Sequence, residues 1–410
     1  MSSTHNNTGL LGWIDDRFPL SKLWNEHMAQ YYAPKNFNFW YYFGSLALLV
    51  LVIQIVSGIF LTMHYKPDAA YAFASVEYIM RDVPWGWLIR YLHSTGAAFF
   101  FIVVYLHMFR GLMYGSYRKP RELVWLIGVF ILLTMMAEAF AGYTLPWGQM
   151  SFWGAEVIIS LFGTVPFVGD AIATWIRGDF VASDATLGRL FALHVIVLPL
   201  VLIALVVLHI IALHEVGSNN PDGIEIKKHK DENGKPLDGI PFHPYYSVKD
   251  LVGFIAFLLI FSFFVFFMPT GFGYFLKNDN FIPANPLVTP DLIMPPWYFG
   301  AFYAILRTVP NEFGGVLLMF AAVLMLALLP WLDRSPVKSI RYRGWIHKTA
   351  LTIFAISFLI LTWLGVQPAD PALVAIGRVF AVLYFAFFLL MPFYSKLDKT
   401  KPVPERVTFK

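Results

Sequence analysis

The amino-acid sequence predicts an all-α, polytopic membrane protein with eight transmembrane helices. Hydrophobic residues make up 58% of the 410 residues and charged residues only 14%, a composition that excludes an ordinary soluble enzyme. The apolar residues concentrate in eight stretches, each long enough to cross a hydrocarbon layer about 30 Å thick. These predicted spans are 40–63, 90–112, 123–145, 190–213, 250–272, 315–332, 346–365 and 373–392. We expect membrane lipid, and no nucleic acid, among the partners of the chain.

The segment before the first span, residues 1–39, is predicted to lie in the cytoplasm. Its first residues are polar and lack the basic and then apolar pattern of a cleavable signal. Residues 10–32 place Trp13, Phe18 and Trp24 among charged neighbours, which is typical of an amphipathic helix at the membrane surface. A cytoplasmic N-terminus also puts most of the 30 Lys and Arg residues inside. With eight spans, the tail at 393–410 lies on the same side.

Two of the predicted spans each carry two histidines on one face. In the second span, His93 and His107 are fourteen residues apart, so the second imidazole returns to within about 40° of the first, about 21 Å further along the axis. In the fourth span, His194 and His209 are fifteen residues apart, and Pro199 between them can bend the helix and absorb part of the mismatch. Both spans run from outside to inside. The sequence therefore predicts an outer pair, His93 with His194, and an inner pair, His107 with His209.

A pair of histidines facing each other across a helical bundle is a common axial ligand set for haem iron. Two such pairs at different depths would hold two b haems and carry electrons across most of the membrane. The alternative for each histidine is a hydrogen bond to a neighbouring helix. Because four histidines at matched depths need partners at once, we interpret residues 40–249 as a four-helix di-haem bundle. A second unit of four spans follows at 250–392.

Glycines repeat the histidine spacing on the neighbouring spans. Gly44 and Gly58 in the first span, and Gly128 and Gly142 in the third, are each fourteen residues apart. Each span therefore offers a notch at each haem level, unless the glycines serve only close helix packing. Three arginines at span ends are candidates to pair with haem propionates, or simply extend to the membrane surface: Arg90, Arg110 and Arg189.

The longer connections add two expectations. On the outer side, 144–169 and 285–307 are rich in proline and aromatic residues, and we expect ordered irregular loops that line a cavity. On the inner side, the charged stretch 227–239 is expected to be solvated. The chain has no cysteine, so an iron–sulfur cluster or a thioether-bound haem must belong to another subunit.

Taken together, these features resemble the cytochrome b subunit of a bacterial respiratory quinol–cytochrome c reductase. The resemblance covers nearly the whole chain and includes the histidine spans and the motifs GYTLPWGQMSFWGA, SNNPDG, FHPYYSVKD, PPWYFGAFYAILR and VPNEFGGV. It implies a proton-translocating enzyme of the bacterial inner membrane, in which this chain forms a homodimer with a Rieske iron–sulfur protein and cytochrome c1. It also implies that the outer haem has the lower potential and the inner haem the higher.

The resemblance further implies two quinone sites on opposite sides of the membrane. Ubiquinol or another quinol would be oxidised at the outer site, with one electron going to the Rieske cluster and the other through both haems to quinone at the inner site. The outer site would use Tyr143, Trp297, Tyr298 and Tyr303. The inner site would use His214, Ser218, Lys249 and Asp250. A membrane-surface anchor for Lys249 and a helix cap for Asp250 are the simpler alternatives.

The chain departs from the family pattern at three places. The outer motif usually reads Pro-Glu-Trp-Tyr, but here it reads Pro295-Pro296-Trp297-Tyr298, so the carboxylate commonly credited with accepting a quinol proton is absent. The histidines of the fourth span are fifteen residues apart, as in the related photosynthetic complexes, rather than fourteen. The inner loop carries the charged insertion at 227–239.

Glu138 in the third span is the candidate replacement for the missing carboxylate. It lies five residues before Tyr143, so it is about 7.5 Å deeper in the membrane but about 140° away around the helix axis. A carboxylate at that depth is costly and is by default a functional candidate. We hypothesise that Glu138 passes a proton outward through water and Tyr143. The alternative is a neutral glutamic acid that is hydrogen-bonded to a neighbouring helix.

Two other classes of membrane protein compete with this interpretation. A secondary transporter would use intramembrane histidine and glutamate as a proton relay, but it predicts inverted repeats, whereas the paired histidines cluster in the first half. A two-haem reductase of another type leaves the last four spans without a role. A dithionite-reduced spectrum separates a haem carrier, with two b-type bands, from a transporter with none.

Overall fold

The computed structural model describes residues 9–409, so residues 1–8 of the predicted N-terminal segment and residue 410 of the tail lie outside the described residues. Within that range, eight helices are long and apolar enough to cross a membrane, which confirms the predicted all-α polytopic fold. In chain order the spans are Phe39–Thr62, Gly86–Tyr114, Glu122–Thr144, Asp184–Val216, Phe242–Phe267, Glu312–Leu332, Trp345–Gly365 and Pro371–Leu389.

Local signals explain where several spans begin and end. The fourth span starts at Asp184, earlier than predicted, because Ser183 and Thr186 form a capping box there. The fifth span ends at Phe267, and not near 272, because Pro269 follows two residues later and cannot continue a helix. Asn311 caps the sixth span by accepting a hydrogen bond from the Gly314 amide.

The prediction of one amphipathic helix over residues 10–32 is wrong. The segment forms two short helices, Leu10–Asp15 and Leu20–Trp24, which are separated at Pro19, then a π turn at Asn25–Ala29. It ends in a strand, β1 (Tyr32–Pro34), which pairs antiparallel with β2 (Gly239–Pro241) of the inner loop. This pairing joins residues more than 200 positions apart in the sequence, so no local pattern could predict it.

The two outer connections are more regular than predicted. The first contains two helices packed on each other, Gln149–Gly163 and Gly169–Arg177, since its prolines stand only at 146 and 166 and leave the stretch between them free to coil. The second ends in a short helix, Gly300–Arg307, which packs against the last three spans.

The first four spans form two packed pairs. The first span packs on the second, and the third packs on the fourth. The fifth span lies against the first two, and the sixth against the third. The N-terminal segment from residue 9, the tail up to residue 409, β1, β2 and the inner loop gather at one end of the bundle, which we call the inner end. The helices of the first outer connection lie at the opposite, outer end.

Candidate functional site

The four histidines of the second and fourth spans face one another across the gap between the two helix pairs. The ring centroids of His93 and His194 are 6.0 Å apart with the rings nearly perpendicular, and those of His107 and His209 are 6.4 Å apart. A metal ion bridging two imidazoles through bonds of about 2 Å, with about 1 Å from each nitrogen to its ring centre, needs about this separation. The structure thus places each histidine beside the partner expected for it.

A π turn accounts for the fifteen-residue interval in the fourth span. Residues Leu193–Val197 form this turn, and the Leu198 amide donates to the Leu193 carbonyl five residues back. A π turn contains one residue more than an α turn, so fifteen residues advance this helix about as far as fourteen advance the second span. Pro199, which was expected to absorb the mismatch, lies just beyond the turn and lacks an N–H for regular α-helical pairing. The extra residue is accommodated at His194 itself.

The outer histidines are oriented through their Nδ1 atoms. The Nδ1 of His93 lies 3.0 Å from the Ser57 hydroxyl. The Nδ1 of His194 lies 3.0 Å from both the main-chain carbonyl and the Oε1 of Glu138. A partner on Nδ1 fixes the ring and leaves Nε2 to bind a metal, which is the usual arrangement for a ligating histidine.

The inner histidines are held less symmetrically. The Nδ1 of His107 lies 3.2 Å from a guanidinium nitrogen of Arg110. The Nδ1 of His209 is buried and has no hydrogen-bond partner within residues 9–409.

The four glycines lie directly against the four histidine rings. A Cβ added at Gly44 would lie 3.3 Å from the Cε1 of His107, and one at Gly128 would lie 3.4 Å from that of His209. At the outer level, a Cβ at Gly58 would lie 3.1 Å from His93, and one at Gly142 would overlap the His194 ring. The missing side chains therefore make room at both histidine levels.

Two cavities open between the helix pairs. The inner cavity has a volume of about 520 Å³ and is lined by His107 and His209, and the outer cavity has a volume of about 260 Å³ and is lined by His93 and His194. Three side chains line both cavities and form the partition between them: Leu51, Phe100 and Met135. The two histidine pairs therefore occupy separate, mostly apolar chambers stacked along the bundle.

Two of the three candidate arginines reach these chambers. Arg90 lines the outer cavity. Arg110 lines the inner cavity, and its guanidinium lies 4.9 Å from the centre of the Tyr41 ring. Arg189 is absent from the described lining of both cavities, because it turns toward the outer helices and donates to the Trp175 carbonyl. The expectation that Arg189 pairs with a haem propionate is therefore wrong.

All four residues expected at the inner quinone site line the inner cavity: His214, Ser218, Lys249 and Asp250. Ser45 of the first span hydrogen-bonds the Asp250 carboxyl group. Asp250 does not cap the fifth span. The N-cap residue of its regular helix is Tyr246, and no side chain makes a capping hydrogen bond there. The sequence analysis did not predict two contacts that other residues make with His214. Tyr31 stacks on the His214 ring at 4.2 Å, and His27 approaches it through Nδ1.

The residues expected at the outer quinone site divide into two groups. Tyr143 and Tyr298 line the outer cavity. Tyr298 stacks on Phe101 at 4.1 Å, and burial raises the pKa of its hydroxyl. Trp297 and Tyr303 fall outside the described lining of this cavity. Trp297 faces Tyr105 with 6.5 Å between ring centroids, while Tyr303 lies under the guanidinium of its own helix's Arg307.

Glu138 also lines the outer cavity, together with Tyr143. One carboxyl oxygen lies against His194, while Oε2 is buried without a hydrogen-bond partner in the described chain. The Tyr143 hydroxyl is likewise buried and unpaired among the described residues. Both groups therefore border the same chamber with unused hydrogen-bonding capacity, although no direct bond joins them.

Buried carboxylates fix the loops at the inner end. Burial alone would raise the pKa of Asp333, but the Arg343 guanidinium, 2.5 Å away, outweighs burial and lowers the pKa to about 2. In the same way, hydrogen bonds from Arg406 and Lys35 outweigh burial at Asp238 and hold its pKa at about 2. Most of the charged stretch 227–239 is exposed as expected, but Asp238 is 1% exposed. These ion pairs hold the inner loop, the tail and the connection between the sixth and seventh spans in place at the inner end.

Comparisons with known proteins agree with this arrangement. The family model described as "Cytochrome b/b6/petB" matches residues 28–217, and that described as "Cytochrome b(C-terminal)/b6/petD" matches residues 283–385. A relative from Allochromatium vinosum, "Cytochrome b", is 65% identical over 97% of this chain and 98% of its own length. A Bradyrhizobium diazoefficiens relative, "Cytochrome b/c1", is 46% identical over 97% of this chain but 56% of its own length. The solved structure "Hyperthermophilic respiratory Complex III" matches with a TM-score of 0.87 at 42% identity, covering 95% of this chain and 99% of that one.

Proposed function

Because the chain belongs to the cytochrome b family and is an integral membrane subunit of a respiratory quinol–cytochrome c reductase, we propose that it holds two b haems, one in each cavity. The observation that carries this proposal is the pair of stacked chambers, each with two facing histidines. His93 and His194 would hold the outer, lower-potential haem, and His107 and His209 the inner, higher-potential one. Bound haem b supplies reversible one-electron chemistry there.

The surrounding residues shape the chambers for a flat macrocycle. Gly44 and Gly128 leave space beside the inner histidines, and Gly58 and Gly142 beside the outer ones. Arg90 and Arg110 each line one chamber and can pair with haem propionates. Leu51, Phe100 and Met135 make the partition between the two levels apolar, so it would keep water from joining them. Electrons can then cross the bundle along its axis without a polar path for protons beside them.

Quinol oxidation is proposed at the outer end. Tyr143, Trp297, Tyr298 and Tyr303 would surround the quinol, with Tyr143 and Tyr298 between it and the outer chamber. The motif carboxylate is replaced by Pro296, so Glu138 would accept a proton and pass it outward through water and Tyr143. The unpaired Oε2 of Glu138 and the unpaired Tyr143 hydroxyl, both within the described chain, support this path. Of the two electrons that each quinol releases, one would enter the outer haem and the other would go to a Rieske iron–sulfur protein.

Quinone reduction is proposed at the inner end of the same bundle. His214 and Asp250 can exchange protons with the substrate oxygens, Ser218 can hydrogen-bond them, and Lys249 supplies positive charge. All four line the chamber that His107 and His209 also line. Proton release at one end and uptake at the other, coupled to electron transfer between them, would make the enzyme proton-translocating.

The assembly is also part of the proposal. The relative whose name reads "Cytochrome b/c1" supports cytochrome c1 as a neighbouring subunit, because this chain matches a little over half of that protein. We place the chain as a homodimer in a bacterial inner membrane, with ubiquinol or another quinol as the substrate.

Substitution of single histidines tests the proposed haem sites in the purified complex. His107→Leu or His209→Leu should abolish the inner b-type absorbance and leave the outer one, and His93→Leu or His194→Leu should do the reverse. His229→Leu, at an exposed histidine of the inner loop, is the control and should keep both bands. Loss of both bands from one inner substitution, at equal protein level, would contradict the assignment of the pairs.

A further inference from the structure

His27 makes a contact with the inner quinone site that the histidine pairs do not explain. It lies in the π turn Asn25–Ala29, before the first span, and its side chain is exposed. Its Nδ1 lies 3.2 Å from the Nδ1 of His214, and the two ring centroids are 5.4 Å apart. His214 in turn lines the inner cavity. The two imidazoles therefore connect the solvent at the inner end to the chamber.

The geometry of this pair is suited to proton transfer. At 3.2 Å, one Nδ1 must carry the hydrogen and the other must accept it, so a single proton is shared between the rings. His214 then has Nε2 for its second hydrogen bond. An imidazole that accepts a proton at one ring nitrogen and releases one from the other transfers a proton across the ring without moving.

Tyr31 holds His214 in this position. The phenol ring stacks on His214 at an interplanar angle of 8°, and its hydroxyl lies 3.0 Å from the Ser218 hydroxyl. Burial raises the pKa of Tyr31, so the hydroxyl remains protonated and the residue serves for positioning rather than for proton exchange. Tyr31 is fixed in turn by β1, which begins at the next residue.

The charged groups around the histidine pair come from three segments. Lys22 and Glu26 form an exposed ion pair at 3.8 Å on the N-terminal segment. Lys227 of the inner loop donates to the Glu215 carbonyl at 2.9 Å, next to His214 in sequence. Lys249 and Asp250 of the fifth span lie on the far side, in the cavity lining. Charges of both signs therefore flank the pair, from the N-terminal segment, the inner loop and the fifth span.

We propose that His27 is the entry residue of a proton path into the inner quinone site, an inference that rests on the proposed function of that site. A proton from the inner-side solvent binds the Nε2 of His27. The proton on its Nδ1 passes to the Nδ1 of His214, and the proton on the His214 Nε2 passes to a quinone oxygen. Both imidazoles are then neutral but in the opposite tautomers, so exchange with water must return the hydrogen on each ring to its first nitrogen before the next proton passes. The electrons are those delivered through the bundle, and two such cycles complete one quinol.

The experiment uses the purified complex with the outer site blocked by an inhibitor. Short-chain ubiquinol then reduces the inner haem in the reverse of the proposed reaction, and the rate is followed from its absorbance across pH. His27→Phe retains a ring but cannot carry a proton, and we expect the rate to fall at least about tenfold, in line with general acid–base catalysis. Free imidazole in the buffer should restore most of the rate. His229→Phe is the matched control and should behave as the unaltered complex.

His27→Gln separates proton transfer from simple support of the His214 ring. Glutamine can hydrogen-bond the Nδ1 of His214 but cannot titrate, so the proposal requires His27→Gln to be as slow as His27→Phe. A normal rate in either variant overturns the proposal. It is also overturned if His27→Phe is slow but imidazole does not restore the rate and the pH profile is unchanged. If the unaltered complex shows no inner-haem reduction with the outer site blocked, the inner quinone site itself is wrong and the inference falls with it.

Discussion

Among single residues, Glu138 has contacts that fit two chemical roles, orienting a histidine ligand and carrying a proton. One carboxyl oxygen lies 3.0 Å from the Nδ1 of His194, as expected of a group that orients a ligand. The other oxygen faces the outer chamber without a partner in the described chain, as expected of a proton carrier. Because both contacts are present together, only a substitution that keeps the shape can separate the roles.

Glu138→Gln keeps the shape and removes the titration. We expect steady-state quinol oxidation to fall at least about tenfold and its pH profile to shift, with both haem bands retained, because a general base contributes on the order of 10²-fold or more. The measurement is quinol–cytochrome c reductase activity of the purified complex across pH. Full turnover with an unshifted profile would leave Glu138 only the orienting role, and Asp291 or a path through water alone would be the next candidate.

Gly142 allows a second test at a single residue. A methyl group there would overlap the His194 ring, so Gly142→Ala should weaken or remove the outer haem while the inner haem remains. The reduced-minus-oxidised spectrum measures both. Gly188→Ala is the matched control, because a Cβ at that position meets no described atom within 4 Å. An outer band of normal size in Gly142→Ala would show that the chamber widens when haem binds.

At the scale of helices and loops, much of the architecture could be predicted because its signals are local. Histidines fourteen residues apart on an apolar helix show which face of that helix points into the bundle, even when the partner helix is unknown. The glycines with the same spacing mark the inward face of the neighbouring helices. The π turn at His194 could not be predicted, since fifteen residues fit either a bent α-helix or a π turn. Tyr31 and His27 were missed because β1 and β2 place them beside His214 from nearly 190 positions away, and only tertiary pairing carries that information.

The ion pair between Asp333 and Arg343 makes a prediction at the same scale, because it joins the end of the sixth span to the start of the seventh. The two side chains are 0% and 1% exposed. Arg343→Met should destabilise the subunit by about 3 kcal/mol, since it leaves the buried carboxylate with only the Tyr117 hydroxyl and the more distant Arg118. Thermal unfolding in detergent measures the change. Arg334→Met, at an exposed neighbour, should have little effect, and adding Asp333→Leu to Arg343→Met should recover part of the loss.

Over the whole molecule, the inner end joins segments from both ends of the chain. Arg406 of the tail donates to Asp238 of the inner loop at 2.7 and 2.9 Å, and Lys35 of the N-terminal segment contacts the same carboxylate at 3.0 Å. The outer end has no equivalent tail or N-terminal contact within residues 9–409. The inner end is therefore held together by contacts among the N-terminal segment, the inner loop and the tail.

Asp238→Asn should loosen the tail and the N-terminal segment together. We expect hydrogen exchange at the Val407 amide, which donates to Asp238, to accelerate at least about tenfold. Asp231→Asn, in the exposed part of the same loop, should leave this amide protected. Because the pKa of Asp238 is lowered from 3.8 to about 2, its contribution to stability is complete above pH 4 and declines as the pH falls toward 2. Unchanged exchange in Asp238→Asn would contradict this role.

Asp222 accepts hydrogen bonds from Asn36, from Arg341 and from the Thr408 amide. These donors lie before the first span, between the sixth and seventh spans, and beyond the eighth. Ribosomes make them in that order, so Asp222 is synthesised with one donor behind it and must wait for four further spans to enter the bilayer before its last donor exists. Among residues 9–409, none from the tail lines the outer chamber. The hydrogen-bond set of Asp222 can therefore be completed only after the eighth span has been synthesised.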